Sequence, residues 1–241
     1  MKSFASIWKR AAKRKGGDGA LEAEMPPIKT PAQLRKIPGH RWLAEMTRRI
    51  FSAGFVWKVI ENKWEGFEAA FEGFDPGRLA TLGQGDLGRL VSDTRIVRNH
   101  QKISAVRHNA GFLVELAREH GTAAAWFADW PDDDFVGLLE AMKKRGSRLG
   151  GITGQVFLRF MGRDSFILNP DVTTALVDAG ALELAPASIK AVVSRRRVSS
   201  KKAVTSKQDL AAVQAAFNQW RAESGRPMAH ISKTLACSVG E

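Results

Sequence analysis

The chain has 241 residues, 44% hydrophobic and 26% charged, a balance typical of a soluble globular protein. Its formal net charge of +12 favours a polyanionic partner, most simply nucleic acid, over the alternatives of a merely solubilising cationic surface or an anionic membrane. The single cysteine, Cys237, excludes an internal disulfide and a cysteine-rich metal site, and no apolar run approaches the roughly 18 residues of a transmembrane helix.

The predicted elements are nearly all helices. Residues 1–39 are basic, then glycine-rich, then proline-rich, and we expect them to pack loosely. Beyond them, apolar residues recur at helical spacing between recognisable start and stop signals. These patterns predict helices over 43–60 with an interruption near Ala53–Gly54, 74–82, 85–93, 96–121, 130–146, 154–162, 206–225 and from Pro227 onward.

Several helix ends are marked by particular residues. Asp75 is expected to cap a helix that has Pro76 at its first position. Pro131 and three following aspartates are expected to form the first turn of the helix over 130–146. The strand signals at 165–169 and 191–200 are weak and no hairpin turn joins them, so the predicted fold class is all-α. The basic segment 195–202 is expected to be an exposed loop.

Three glycines, Gly150, Gly151 and Gly154, lie around a short turn between two predicted helices, in the stretch RGSRLGGITGQVFLRFMG. The segment 143–146 ends one helix, 149–153 turns, and 154–162 begins the next. Glycine lets backbone approach a phosphate closely, and the unpaired N–H groups of a helix start bind anions. This predicts a helix-hairpin-helix element that binds DNA without reading its sequence. The alternative is a simple helical corner with a glycine cap.

Basic residues surround this hairpin and recur in a second cluster. The expected DNA-backbone contacts are Gly150, Gly151, Thr153, Gly154, Arg148, Lys144, Arg98 and Lys102. For Arg98 and Lys102, one helical turn apart, a solvated basic face is the alternative. The second cluster contains Lys190, Arg195, Arg196, Arg197, Lys201, Lys202 and Lys207.

The hairpin, its apolar second helix and the following GRDSFILNPDV resemble the helix-hairpin-helix DNA glycosylase superfamily. In that superfamily this segment ends in a catalytic aspartate, and the matching residue here is Asn169. An amide cannot act as a carboxylate base, so that role is not inherited. Asn169 followed by Pro170 is interpreted as a helix N-cap with proline at the first helical position.

Within the superfamily, the chain resembles the 3-methyladenine DNA glycosylase I family over about 43–172. The matching strings, in order, are AGFVWKVI (53–60), FEAAFEGFDP (67–76), LVSDTRIVRNHQKISAVRHNA (90–110) and LEAMKKRG (139–146). The resemblance implies a two-lobed helical fold on residues 30–241. One lobe would comprise 57–172 with the hairpin at 143–162, and the other 30–56 plus 173–241, after a loose basic tail over 1–29.

The chain departs from that family at several functional positions. Two of the family's zinc ligands correspond to Asp171 and Ala175, so neither a metal nor another cofactor is expected. The family's base-recognising glutamate corresponds to Arg49, and its pocket tyrosine has no counterpart because the chain contains no tyrosine. His40 and His100 lie near matching motifs without metal-ligand spacing, which is typical of surface histidines.

The resemblance implies a base-binding pocket near Trp57, where an indole face stacks on a cationic alkylated purine held between the lobes. Phe51, Phe55 and Arg49 are the other base-binding candidates. The alternative for each aromatic residue is a place in the core. Glu45 and Glu61 are candidates for positioning the attacking water, although Glu45 and Arg49 also have the i,i+4 spacing of a surface ion pair.

The predicted function is hydrolysis of the N-glycosidic bond of alkylated purines of the 3-methyladenine type. Lyase chemistry is not expected, because Gln155 or a neighbour stands where the superfamily's lyases have a lysine. The expected partner is double-stranded DNA with alkylated bases, bound by a monomer in the bacterial cytoplasm near the nucleoid, with no membrane. The rival interpretation, favoured by Arg49 and Asn169, is a non-catalytic lesion-binding or architectural DNA-binding protein.

Overall fold

The structure is a computed structural model that describes residues 1–183 and 206–239. Within these ranges all regular secondary structure is helical, which confirms the predicted all-α class. The basic segment 195–202 and most of the second basic cluster lie outside the described residues, so the prediction of an exposed loop stays a prediction.

Fifteen α-helices are present in the described ranges. They are α1 Phe4–Lys15, α2 Asp18–Glu22, α3 Pro31–Arg35, α4 Gly39–Ser52, α5 Trp57–Asn62, α6 Trp64–Ala70, α7 Pro76–Ala80, α8 Gln84–Ser92, α9 His100–His120, α10 Ala123–Asp129, α11 Phe135–Arg145, α12 Ile152–Met161, α13 Pro170–Asp178, α14 Lys207–Ser224 and α15 Met228–Ser238. A 3-10 turn, Glu72–Phe74, separates α6 from α7.

The chain forms two compact units at boundaries that differ from the predicted lobes. One unit contains residues 1–28, 131–136 and the described residues from 164 onward, and the other contains 29–130 and 137–163. The segment 29–56 therefore belongs with the hairpin. The reason is α4, whose apolar face packs against α9 and α12.

The first unit includes the N-terminal segment, which was predicted to pack loosely. That prediction is wrong, because α1 packs against α15 and buries Phe4, Ile7 and Ala11. In the same unit, the buried carboxylate of Asp164 accepts hydrogen bonds from the backbone N–H groups of Met228 and Ala229 at 3.0 and 2.8 Å. It thereby caps α15, whose N-terminal flanking residue is a proline.

The second unit is built around the long helix α9. Helices α4, α7, α8 and α10 all pack against it. Trp42 on α4 stacks on Phe127 with ring centroids 4.4 Å apart, and both rings meet Phe157 of α12 edge to face. This aromatic core holds α12, which is the second arm of the hairpin, against α4.

Most of the predicted helix starts are confirmed. Asp75 and Asn169 cap α7 and α13 with their side chains, and each helix has proline at its first position. The start of α11 was predicted wrongly, because it begins at Phe135 and the three aspartates precede it. Side chains of α14 bind the carbonyls of this segment: Asn218 donates to Asp133 O and Arg221 to Asp132 O, each at 2.8 Å. The α9 helix begins at His100, four residues later than predicted.

Candidate nucleic-acid interface

The hairpin consists of α11, the turn 146–151 and α12, and two of its glycines are sterically required. A Cβ atom on Gly154 would lie 2.3 Å from the carbonyl oxygen of Leu149, closer than any contact that side chains tolerate. Gly151, the residue before α12, has φ of 59°, which favours glycine because it lacks a Cβ. The glycines therefore allow the tight turn that the sequence predicted, and their contact with phosphate stays a prediction.

Buried Asn109 on α9 holds the turn from the inside. Its Oδ1 accepts a hydrogen bond from Ser147 N at 2.7 Å, and its Nδ2 donates to Ser147 O at 3.1 Å. The neighbouring His108 places Nε2 3.0 Å from Arg145 O. The turn is thus anchored to the central helix of its unit, which limits how far its backbone groups move.

The hairpin combines an uncapped helix start with exposed basic side chains. No side chain caps the start of α12, so the N–H groups of its first turn, that of Thr153 among them, receive no side-chain acceptor from the N-cap, and the helix dipole is positive there. Lys144, Arg148 and Arg98 are exposed on the hairpin and on the segment before α9. The guanidinium of Arg148 contacts the amide oxygen of Gln101. Unpaired N–H groups among exposed cations form a suitable surface for phosphate.

Lys102 was predicted to contact phosphate, and the structure contradicts this. The residue is only 6% exposed, and its ammonium donates hydrogen bonds to the carbonyls of Phe51 and Ala53 at 2.9 and 2.7 Å. Burial, together with the charge of Arg148, lowers the pKa of Lys102. Lys102 therefore ties α9 to the C-terminal end of α4, immediately before the segment that carries Phe55.

A group of large apolar side chains is exposed in the same unit. Phe55 is 44% exposed, Trp57 46% and Phe160 52%. The rings of Trp57 and Phe160 contact each other with centroids 5.6 Å apart and planes inclined at 53°. We call these two rings the Trp57–Phe160 pair. Val56, Val59 and Ile152 extend the exposed apolar surface. Exposed apolar side chains that contact each other, as the Trp57–Phe160 pair does, indicate an interaction site.

The alternative that Trp57 belongs to the core is wrong, and so is the assignment of Phe51 to base binding. Phe51 is fully buried and packs edge to face on Phe67 at a centroid distance of 4.7 Å. Phe160 was missed by the sequence analysis. The signal for it was its position, because the buried stripe of α12 runs through Phe157, Leu158 and Met161 and leaves Phe160 outside.

Arg49 lies between the exposed rings and the interior of the unit. Its guanidinium carbon is 4.6 Å from the ring centroid of Trp57 and 4.0 Å from that of Phe160, distances typical of cation–π contact. Its Nε is 2.7 Å from Glu45 Oε1, which confirms the predicted i,i+4 pair, although the residue is 4% exposed and the pair is buried rather than on the surface. Burial raises the pKa of Glu45 and lowers the pKa of Arg49.

The candidate acids and Asn169 have defined surroundings. Glu61 is exposed, with its carboxylate 3.7 Å from Arg48 Nε, whereas Glu45 faces Arg49. Asn169 Oδ1 accepts a hydrogen bond from Val172 N at 2.8 Å, so the N-cap interpretation is confirmed. The water-positioning role of Glu45 and Glu61 stays a prediction.

Neither a metal cluster nor a membrane helix occurs in the part of the chain that the structure describes. No three His, Cys, Asp or Glu side chains within residues 1–183 and 206–239 converge to hold a metal ion. Among the helices of those same ranges, none has the length and apolarity to cross a membrane.

Comparison with known proteins locates the similarity in the segment from α4 to the first helix of the hairpin and the start of its turn. Residues 40–149 match the family model described as methyladenine glycosylase, which confirms the family resemblance. DNA-3-methyladenine glycosylase 1 of Escherichia coli is 29% identical over 119 residues, which are 42% of this chain and 64% of that protein. DNA-3-methyladenine glycosylase of Haemophilus influenzae is 27% identical over 129 residues, 46% of this chain and 70% of that protein.

One solved structure matches over nearly the whole chain and a second over about half of it. The 8-oxoguanine glycosylase/lyase of Methanocaldococcus jannaschii, solved with a 15mer DNA containing 8-oxoguanine, matches with a TM-score of 0.51 and 12% identity over 95% of both chains. The 3-methyladenine DNA glycosylase I of Staphylococcus aureus matches with a TM-score of 0.47 and 22% identity over 52% of this chain and 77% of that one. The match to the Methanocaldococcus jannaschii enzyme, over 95% of this chain, gives the chain the same all-α fold.

Proposed function

We propose that this chain, whose residues 40–149 match the methyladenine glycosylase family, is a DNA repair glycosylase. Its reaction would be hydrolysis of the N-glycosidic bond of alkylated purines of the 3-methyladenine type in double-stranded DNA. The observation that carries the proposal is the exposure of Trp57 in the same compact unit as the hairpin. A buried tryptophan would serve only packing, whereas an exposed one beside a phosphate-binding element is available to a nucleobase.

The hairpin would hold the DNA backbone. Its glycine turn brings main-chain N–H groups within reach of phosphate oxygens, and the uncapped start of α12 adds positive potential. Arg98, Lys144 and Arg148 would add screened attraction along the strand. Contacts of this kind fix the position of the duplex and carry no sequence information, as suits an enzyme that searches a whole chromosome for lesions.

The exposed rings would receive the damaged base. An enzyme that acts on a base in a duplex must take it out of the stack, which costs a few kcal/mol, and aromatic side chains recover part of that free energy. Trp57 is the proposed stacking surface, with Phe55 two residues before it in sequence. N3-alkylation makes adenine a cation, and indole is the aromatic side chain that attracts cations best.

The chemistry would need little from the protein beyond binding and exclusion of bulk water. The positive charge on an alkylated purine already weakens the glycosidic bond, so the base departs as a neutral molecule and water adds to the sugar. Glu45 and Glu61 are the proposed groups for positioning that water. Gln155 is buried where a lyase would have a nucleophilic lysine, which supports a monofunctional enzyme. The enzyme would act as a monomer.

A non-catalytic lesion-binding protein is the second candidate. Arg49 favours it, because a cation stands at the position where the related family has a base-recognising glutamate. Asn169 favours it as well, since an amide that caps α13 stands where the superfamily has a catalytic carboxylate. Binding to damaged DNA does not separate the candidates, because both would prefer the lesion.

Release of free base separates them. Chromatography of the bases freed from methylated genomic DNA should detect 3-methyladenine with the wild-type protein and at least tenfold less with Trp57→Ala. Val56→Ala is the matched control, because Val56 is a 70% exposed neighbour without an aromatic ring. The enzyme is excluded if the wild type releases no base while it binds lesion-bearing duplexes more tightly than undamaged ones.

A further inference from the structure

The Trp57–Phe160 pair already holds a cation, and that cation belongs to the chain itself. Arg49 lies 4.6 and 4.0 Å from the two ring centroids, and the carboxylate of Glu45 lies 2.7 Å from its Nε. Two aromatic rings and a buried carboxylate are the groups that bind a planar organic cation. The arrangement thus has the chemistry of a cation site in which a guanidinium is the occupant.

The occupied arrangement leaves no room for a base between the rings. Stacking a planar base between two rings requires about 7 Å between them, twice the roughly 3.5 Å contact distance of carbon atoms. The Trp57 and Phe160 centroids are 5.6 Å apart and the planes are tilted by 53°. A base that enters must therefore part the rings and displace the guanidinium that contacts both.

Arg49 is poorly held by hydrogen bonds. Its Nη1 is buried without a hydrogen-bond partner among the described residues, and Nε and Glu45 Oε1 are close but not aligned as a hydrogen bond. What retains the guanidinium is charge and ring contact. A second planar cation is able to replace both interactions, whereas a neutral purine replaces only the ring contact and leaves Glu45 uncompensated.

We propose that Glu45, Trp57 and Phe160 form a binding site for a cationic purine, and that Arg49 is a built-in competitor for it. The proposal deepens the proposed function, on which it rests, by assigning the negative charge of the base site to Glu45, one helical turn before Arg49. The wild-type free energy of binding a cationic base is then the difference between the interaction of that base with the site and the interaction of the Arg49 guanidinium with it. Removal of Arg49 therefore strengthens binding.

The test measures binding of a stable cationic nucleoside, 1-methyladenosine, and its neutral counterpart adenosine at pH 7, by calorimetry. Arg49→Gln should bind 1-methyladenosine about tenfold more tightly than wild type, the effect of about 1.4 kcal/mol of cation–π and charge interaction. Adenosine affinity should change by less than about twofold, since stacking alone is little altered. Arg49→Lys, which retains the positive charge, should behave like wild type.

Two further variants locate the site. Glu45→Gln combined with Arg49→Gln should abolish the gain for 1-methyladenosine, and Phe160→Ala in the same background should reduce it. Arg41→Gln is the matched control, because Arg41 is an exposed arginine of α4 paired with Glu68. Circular dichroism and thermal unfolding of each variant verify that it is folded.

The proposal is overturned if folded Arg49→Gln binds 1-methyladenosine no more tightly than wild type, or if no binding is detected up to the solubility of the nucleoside. Its failure is separate from failure of the glycosylase. If the wild type releases base but Arg49→Gln binds 1-methyladenosine no more tightly, only the role of Arg49 as a competitor is eliminated. If Arg49→Gln binds 1-methyladenosine more tightly but the wild type releases no base from methylated DNA, only the catalytic activity is eliminated.

Discussion

The hairpin and the Trp57–Phe160 pair lie in the same compact unit but are made from different parts of the chain. In the hairpin, the start of α12 has no side-chain cap, and Gly154 is required because a Cβ there would collide with the Leu149 carbonyl oxygen. At the ring pair, side chains from α4, α5 and α12 converge on one guanidinium. A surface made of backbone is suited to the uniform phosphate chain, and one made of side chains is suited to discriminating one base from another.

The two regions should therefore fail in different ways. Damage to the hairpin should weaken binding to every duplex, damaged or not. Damage to the ring pair should leave affinity for undamaged DNA largely intact and change the response to the lesion. The following substitutions test that contrast, beginning with the largest expected effect.

Gly154→Ala should have the largest effect, because the new Cβ would lie 2.3 Å from the Leu149 carbonyl oxygen and the backbone must move. We expect the free energy of unfolding to fall by about 1–3 kcal/mol, as for overpacked sites. Affinity for undamaged duplex, measured by fluorescence anisotropy, should fall at least tenfold. Gly88→Ala is the control, since nothing lies near its added Cβ. Unchanged duplex affinity in Gly154→Ala would contradict the role of the hairpin.

Lys102→Met should destabilise the protein without altering how DNA binding depends on salt. The ammonium donates to two carbonyls, and leaving these acceptors unpaired should cost about 2 kcal/mol in urea unfolding. A phosphate contact would instead change the slope of log affinity against log salt concentration. A reduced slope in the folded variant would restore the original assignment of Lys102 to DNA.

Lys144→Ala should show the reverse behaviour. Lys144 is exposed on the hairpin, so its removal should barely change unfolding and should reduce the salt slope of duplex binding by about 0.9 for one lost phosphate contact. Arg98→Ala is expected to act similarly. Lys36→Ala, also exposed but located after α3, serves as the control. An unaltered slope in Lys144→Ala would remove this residue from the interface.

The smallest expected effect is a pH dependence confined to the ring pair. Burial raises the pKa of Glu45, and the nearby charges are those of Arg48, Arg49 and Glu61. A raised carboxyl pKa means that the proton is taken up at a higher pH than usual. Binding of 1-methyladenosine to Arg49→Gln should therefore weaken as pH falls from 7, beginning above the ordinary value of 4.5. Binding that stays constant from pH 7 down to the ordinary carboxyl value of 4.5 would exclude Glu45 as the counter-charge.

The hairpin was predictable because its signals are local. Spacing of glycines, the Asn169–Pro170 start and the Glu45–Arg49 interval each depend on residues a few positions apart, and the structure confirms each geometry. In a helix, residues three or four positions apart always lie on the same face, so a short interval in sequence determines which side chains are neighbours. The start of α11 was wrong for the opposite reason, since side chains of α14, some 85 residues away, bind the carbonyls before it.

The sequence by itself determined the all-α class, the hairpin turn and the family resemblance of the segment around it. Tertiary structure alone decided which of three neighbouring aromatic residues is buried, that Lys102 points inward, and that Phe160 joins Trp57 around Arg49. The physical reason is that burial and charge pairing depend on which helix faces meet. Helices α4, α5 and α12 meet around Arg49 although more than a hundred residues separate the first from the last.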